Sequence, residues 1–316
     1  MQHVYHRRLH ANGYIERTDD TKRRDIHKVR FFWGKYADIP HKDDRGKWMW
    51  CDPDNLRVMS DVYWQGSNQI SMIGNRSLDR LIRKVCCIAR RSSHDGSDIV
   101  INYGNSNHHV PENIFTVNRT LLLNKYEQTI LLREIAPEST HNWAPDYQNW
   151  ILKPMRSFAG RGIMQYTGSI PYTHYIQRRV NKVREFRAHV FLWNDEMVPM
   201  INEKRLPEEK RNQLCWNEHQ GATFFIPYAP LHKFHKLERE EPELLQRLKE
   251  TAVEACKRLH YDFGGVDLAV DDQNNIYVFE VNSRMGIKER SLWVYKHALN
   301  RLRSININHY KERRGW

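Results

Sequence analysis

Two carboxylates and a carboxamide late in the chain, Asp267, Glu280 and Asn282, are the side chains best placed to act together. They lie in residues 261–286, YDFGGVDLAVDDQNNIYVFEVNSRMG. Two apolar runs, 264–270 and 276–281, flank a polar turn at 271–275, the pattern of a β-hairpin. Side chains two apart share a face of a strand, so Glu280 and Asn282 project together, with Asp267 on the neighbouring strand. Three converging oxygen donors suit hard Mg²⁺ ions that also hold a nucleotide's phosphates. The same pattern fits a hairpin that merely keeps its acidic residues on a wet face.

A second candidate is Lys153-Pro154-Met155-Arg156-Ser157-Phe158-Ala159-Gly160-Arg161-Gly162-Ile163. A glycine-bearing loop after a strand that ends in lysine can fold over a triphosphate, its N–H groups pointing inward while Lys153 neutralises charge. It is neither a P-loop nor a dinucleotide fingerprint, because it has one Gly-x-Gly pair and no Gly-Lys-Ser/Thr.

These residues need a sheet to hold them, and the periodicity supplies one. Residues 149–153, 172–180, 185–193 and 197–206 read as strands, and 185–193 carries Glu185 and Arg187 on one face. A helix over 242–260, with Leu244, Leu245, Leu248, Ala252, Ala255 and Leu259 at helical spacing, supports the hairpin. Asn124 caps a helix from Lys125 to about Ile135 that buries Leu131, Leu132 and Ile135. A last helix spans 291–303. Upstream, a strand at 70–73, a helix opened by Ser77 and a strand at 99–103 make a small parallel α/β unit. Its loop at Gly104 makes Asn102, Asn105 and Ser106 candidates for substrate contact. Residues 1–65 lack periodicity and read as a separate lobe or arm. The spacing of His3, His6 and His10 would allow a metal, although basic tails with scattered histidines are usually solvated.

The chain has 316 residues, 40% hydrophobic and 28% charged, which fits a folded body of two or three packed units rather than a disordered chain. With no apolar run of about 18–20 residues and no secretory signal, the expected location is the cytoplasm, with no membrane association. Five cysteines, Cys51, Cys86, Cys87, Cys215 and Cys256, form no CxxC pair and read as reduced thiols. The net charge of +12 is compatible with an acidic partner, whether nucleic acid, a polyanionic substrate or ATP itself.

The order of these parts resembles the ATP-grasp superfamily. Its members carry, from N to C, a lysine opening a helix, a strand ending Lys-Pro, a glycine-rich loop, a strand lending backbone to adenine, a glutamate near the ribose, and Asp…Glu-x-Asn. Here these are Lys125, Lys153-Pro154, residues 157–162, Gln177-Arg178-Arg179-Val180, Glu185, and Asp267 with Glu280-Val281-Asn282. The resemblance covers about residues 98–290, is specific over 150–284 and lapses before about 65. It implies an α/β (α+β) fold in which two α+β subdomains grip ATP, at 124–180 and 181–316. A small α/β domain at 66–123 would precede them.

The resemblance also implies roles. Lys125 and Lys153 would hold the α- and β-phosphates beneath a loop bearing Ser157, Gly160 and Gly162. Gln177, Arg178 and Val180 would offer main-chain hydrogen bonds to adenine between Ile151 and Phe279, and Glu185 would meet the ribose. Asp267, Glu280 and Asn282 would hold two Mg²⁺ ions, while Arg187 and Lys204 would act on the γ-phosphate and an acyl phosphate. Two departures bear on the substrate side: Gly265 replaces an arginine common two residues before the metal aspartate, and Arg284-Met285-Gly286 replaces the usual small residue and Pro-Gly.

Within the superfamily the chain is similar to RimK-type carboxylate–amine ligases, phage-encoded ones included. They carry Glu-Phe-Arg-x-His-Val, here 185–190, and Asn-Trp/Tyr-Gly-x-Ser, here 102–106. The implied reaction joins a carboxylate to an amine of an amino acid, peptide or macromolecule in a monomer or homodimer. A kinase acting on a hydroxyl of an anionic substrate, and a basic nucleic-acid-binding protein with a regulatory ATP site, are the alternatives.

Overall fold

The computed structural model describes three N-terminal strands, β1 (Arg7–Leu9), β2 (Ile15–Arg17) and β3 (Ile70–Gly74). It also describes residues 98–314 apart from 105–109, 112, 120–123, 158–159, 217–219 and 286–288. The anticipated helix opened by Ser77, the three N-terminal histidines, Asn105 and Ser106 lie outside the described residues. The chain divides into two compact units, one holding 1–100, 113–115 and 287–316, the other 101–112 and 116–286. The division runs through β4 (Ile99–Tyr103) and β5 (Phe115–Val117).

In the first unit β1 and β2 pair antiparallel, Arg7 opposite Arg17. The anticipated C-terminal helix runs Glu289–Arg301 and buries Val294, Ala298 and Leu299. A further helix, Ile307–Arg314, sets Tyr310 edge-on against Phe115 at 5.7 Å between ring centroids.

The second unit contains two antiparallel sheets. The smaller consists of β6 (Ser139–Thr140), β7 (Trp150–Pro154), β8 (Met164–Gln165) and β9 (His174–Arg178), in the order β6-β9-β7-β8. The larger consists of β10 (Lys182–Phe191), β11 (Met200–Arg205), β12 (Thr223–Tyr228), β13 (Phe263–Asp271) and β14 (Ile276–Asn282), in the order β12-β11-β10-β13-β14. Helix Pro242–Arg258 opens with proline at its first turn, where no N–H is needed, and lays Leu244, Leu245, Leu248, Ala252 and Ala255 into the core of this sheet. Each leucine so buried contributes about 1.5–3 kcal/mol. β12 and the short helix Lys236–Glu240 were not anticipated from periodicity.

The helix at 125 is shorter than its apolar spacing suggests. Asn124 caps it as expected, its side chain accepting from the Tyr126 N–H at 3.0 Å. It ends at Leu131, which is 46% exposed, while Leu132 is buried. The Ile135 and Ala136 N–H groups both return to the Leu132 carbonyl, and the Ile135 carbonyl accepts from the Val278 N–H. The stretch thus leaves the helix to cover the open edge of β14, a better use of its backbone than another helical turn. Asn118, with φ +56°, anchors the start of β13: its Oδ1 accepts from the N–H groups of Asp262 and Phe263, and its Nδ2 donates to the Phe263 carbonyl. Among the described residues no helix is long and apolar enough to cross a membrane.

Candidate nucleotide and metal site

Register places the chemistry. On β10, Glu185 and Arg187 share a face; Glu185 is opposite Lys204 of β11, and Arg187 lies between Asn202 of β11 and Asp267 of β13. Asp267 in turn is opposite Glu280 of β14, and Gly265 opposite Asn282. One face of the large sheet therefore gathers Glu185, Lys204, Arg187, Asp267, Glu280 and Asn282. Helix Lys125–Leu131 adds Lys125, because Gln128 grips β14 like another strand, accepting from the Val281 N–H at 3.1 Å and donating to its carbonyl at 3.2 Å. Lys125 Nζ then reaches Glu280 Oε2 at 2.5 Å.

Two bulges add side chains that strict alternation would turn away. Between Asp267 and Leu268 the partner on β14 skips from Glu280 to Val278, which leaves Phe279 as an extra residue and lets both Phe279 and Glu280 line the cavity. Between Lys182 and Arg184 the partner on β13 moves one residue, from Asp271 to Val270, leaving Val183 extra and turning Lys182 inward.

The cavity, about 290 Å³, is lined by Lys125, Ile151, Lys153, Gly160, Gln177, Arg178, Val180, Glu185, Lys204, Asp267, Phe279 and Glu280 among the anticipated residues. Arg187, Asn282, Ser157 and Gly162 do not line it directly. Arg187 stands behind Asp267, its Nε donating to Oδ1 at 2.7 Å and its Nη2 to Oδ2 at 2.8 Å. Asn282 Nδ2 donates to Glu280 Oε1 at 2.9 Å. Ser157 Oγ is buried without a hydrogen-bond partner. Gly162, at φ +76°, packs its α-carbon against Pro154, where a Cβ would come within 2.8 Å of the ring. The loop thus doubles back over the Lys-Pro end of β7. Sequence reasoning missed Lys182 and the segment Arg211, Asn212, Gln213, Leu214, Cys215 and Trp216, which forms one cavity wall.

Of the main-chain groups expected to meet adenine, two are already used: the Arg178 N–H donates to Glu138 and the Arg179 N–H to Asn149. Gln177 lies within the small sheet, flanked by Ser139 and Ile151, and its side chain accepts from Lys153 Nζ at 2.8 Å. The Val180 N–H makes no hydrogen bond among the described residues and is the donor that remains.

Four lysines, Lys125, Lys153, Lys182 and Lys204, and three arginines, Arg178, Arg179 and Arg211, face three carboxylates in this lining, an excess of positive charge suited to a polyphosphate. Burial would raise Asp267, but Arg187 and Lys204 hold its carboxyl well below the usual range. Burial likewise opposes ionisation of Glu280; Lys125 overcomes it despite the neighbouring charge of Asp267, and the carboxyl titrates low. Lys204, paired to Glu185 and 3.5 Å from Asp267 Oδ2, is held above the ordinary lysine value against burial. Lys153 differs: burial depresses it, and Glu280 restores part of the loss.

The donor set fits Mg²⁺. Arg187 takes one lone pair on each oxygen of Asp267 and Lys204 approaches Oδ2, which leaves a lone pair on Oδ1, and Asn282 donates its N–H₂ to Glu280, which leaves its carbonyl oxygen available. Among the described residues no three His, Cys, Asp or Glu side chains gather at one point, so a third oxygen donor beside Asp267 and Glu280 would have to be of another kind, such as the carboxamide of Asn282.

Residues 209–310 match the family model described as YheC/D-like ATP-grasp. That stretch contains the hairpin and all three proposed metal ligands. The match likens that stretch, about a third of the chain, to ATP-grasp proteins. No curated protein matches it in sequence. Among solved structures the chain is similar to carboxyaminoimidazole ribonucleotide synthase from Aspergillus clavatus complexed with ATP, at 15% identity over 70% of this chain and 71% of that one, TM-score 0.49. It is similar to the ATP-grasp ligase PsnB complexed with a minimal precursor, at 13% identity over 74% and 98%, TM-score 0.48. It also resembles an ATP-grasp superfamily protein from Archaeoglobus fulgidus, at 14% identity over 68% of this chain and 63% of that one, TM-score 0.39. Likenesses this distant say nothing about substrate.

Proposed function

We propose that the protein is an ATP-dependent carboxylate–amine ligase that forms an amide through an acyl phosphate and releases ADP and phosphate. The observation that carries this reading is the facing of Asp267 and Glu280, partners across β13 and β14, into a cavity that Lys125, Lys153 and Lys204 also line. Lys125 and Lys153 hold the α- and β-phosphates, and the loop through Ser157, Gly160 and Gly162 covers them, with the partnerless Ser157 hydroxyl as a donor. Ile151 and Phe279 sandwich the adenine, Val180 N–H meets its edge, and Glu185 meets the ribose. Asp267, Glu280 and Asn282 would hold Mg²⁺, which when bound neutralises charge on the β- and γ-phosphates.

A carboxylate oxygen of the substrate attacks the γ-phosphorus, the bridging P–O bond breaks toward ADP, and the carboxyl carbon gains a good leaving group. The amine then attacks that carbon, loses a proton and expels phosphate. Lys204, which lines the cavity, stabilises the charge on the transferring group, and Arg187 acts through Asp267, which it holds from behind. Gly265 accounts for one departure from the family pattern. A Cβ there would meet Met285 Sδ at 2.3 Å and Arg187 Cδ at 3.6 Å, so the arginine common at that place would have to displace Met285, and the guanidinium beside Asp267 comes from Arg187 on β10 instead. On the substrate side, Arg284 Nε and Asn202 Oδ1 are buried without partners and are groups an acid or amine can engage.

Hydroxylamine tests the reaction class. With ATP, Mg²⁺ and a panel of amino acids and peptides, a hydroxamate should accumulate in the wild type and disappear in Glu280→Gln, with the fold of the variant intact. Phosphate-ester formation without hydroxamate would make the protein a kinase instead. Salt-sensitive binding to DNA or RNA without nucleotide turnover would make it a nucleic-acid-binding protein.

A further inference from the structure

Lys182 occupies a place in this site that no family motif assigns. It precedes Glu185 by three residues, so on an even strand the two would point to opposite faces. The bulge at Val183, whose own side is 47% exposed, reverses this and brings Lys182 onto the site face. Its ammonium donates to Glu185 Oε2 at 2.5 Å and to the Leu214 carbonyl at 3.3 Å, and it lies 5.0 Å from the Trp216 ring centre and 5.4 Å from that of Phe279. Lys204 takes the other oxygen of Glu185. All three side chains are nearly buried.

Two ammonium groups on opposite oxygens fix the plane of a carboxylate, as one cannot. Without Lys182, Glu185 is free to turn both oxygens toward Lys204. The second bond of Lys182 ties the wall segment at Leu214 to the same carboxylate, and the two nearby rings limit where the ammonium can go.

We propose that Lys182 is a positioning residue of the nucleotide site: it holds Glu185 in the orientation that reads the ribose hydroxyls and pins the wall formed by Leu214, Cys215 and Trp216 beside the nucleoside. The inference rests on the reading above that Glu185 meets the ribose.

The test compares affinity for ATP and for 2′,3′-dideoxy-ATP, each with Mg²⁺, in the full chain and in Lys182→Met and Lys182→Arg. The wild type should prefer ATP by roughly tenfold or more, the range of one or two hydrogen bonds to a charged group. In Lys182→Met the preference should fall to within about twofold, and Lys182→Arg, whose guanidinium also spans an acceptor pair, should restore part of it. Because both nucleotides are measured on one preparation, the ratio is unaffected by loss of folded protein. If Lys182→Met binds too weakly to measure, Lys182→Gln reads the same ratio. A wild-type preference retained in Lys182→Met or Lys182→Gln overturns the proposal. A wild type that binds both nucleotides equally also overturns it, while leaving the ATP site in place. A wild type that binds neither removes the ATP-dependent reading itself.

Discussion

The two sheets of the second unit treat buried charge in opposite ways. In the five-stranded sheet, Asp267 meets Arg187 and Glu185 meets Lys204 on neighbouring strands, so charge is balanced before any substrate arrives. In the four-stranded sheet, Lys153 is 5% exposed, and its one hydrogen bond among the described residues goes to the neutral amide of Gln177. The first arrangement is a self-sufficient frame. The second holds a charge that burial opposes and that an anionic phosphate would stabilise.

Removing charge from the frame should therefore cost stability and turnover together. Arg187→Met leaves Asp267 buried with Lys204 alone, and a loss of about 3–5 kcal/mol in denaturant unfolding is expected along with loss of turnover. Lys153→Met should separate the two properties: ATP affinity falls by about 100-fold, roughly 2.7 kcal/mol, while the melting temperature is not lowered. A melting temperature that drops with Lys153→Met as far as with Arg187→Met would erase the contrast.

His189 sharpens the comparison from within the frame. Burial, reinforced by Arg187 and partly offset by Asp267, pushes its imidazole down to about 3 from 6.5. Above pH 6.5 it is neutral whether folded or not; between 6.5 and about 3 only the unfolded chain takes up the proton. Its share of stability should thus fall on acidification across that window, by up to about 1.4 kcal/mol per pH unit, and level off below. His189→Gln should flatten the profile over that range. Gly162→Ala, at a left-handed position against Pro154, should have the smallest effect: about 1–2 kcal/mol, read as weaker ATP binding with little change in melting temperature.

Much of this frame was legible. The hairpin, the strand bearing Glu185 and Arg187, the strand of Lys204 and the long supporting helix all appear near their expected places, because alternation and helical spacing report which face is buried. What escaped was irregular. A bulge is one extra residue in the pairing, invisible to a pattern read along a single strand, and it is how Lys182 reaches the site. The wall at 211–216 has no periodicity to detect. Helix Lys125–Leu131 stops early because Ile135 lends its carbonyl to β14, a partner remote in sequence. The main-chain groups of Gln177 to Val180 could not be sorted into used and available without the sheet around them.

Asn118 carries a consequence for anyone recombining this chain with a relative. Four hydrogen bonds between it and Asp262–Phe263 set the origin from which β13 is counted. A strand displaced by one position would send Asp267 into the hydrophobic core and Leu268 into the proposed phosphate site. A graft beginning after Asn118 would import the strand of Asp267 without its zero mark, so the shortest exchangeable module starts ahead of that asparagine.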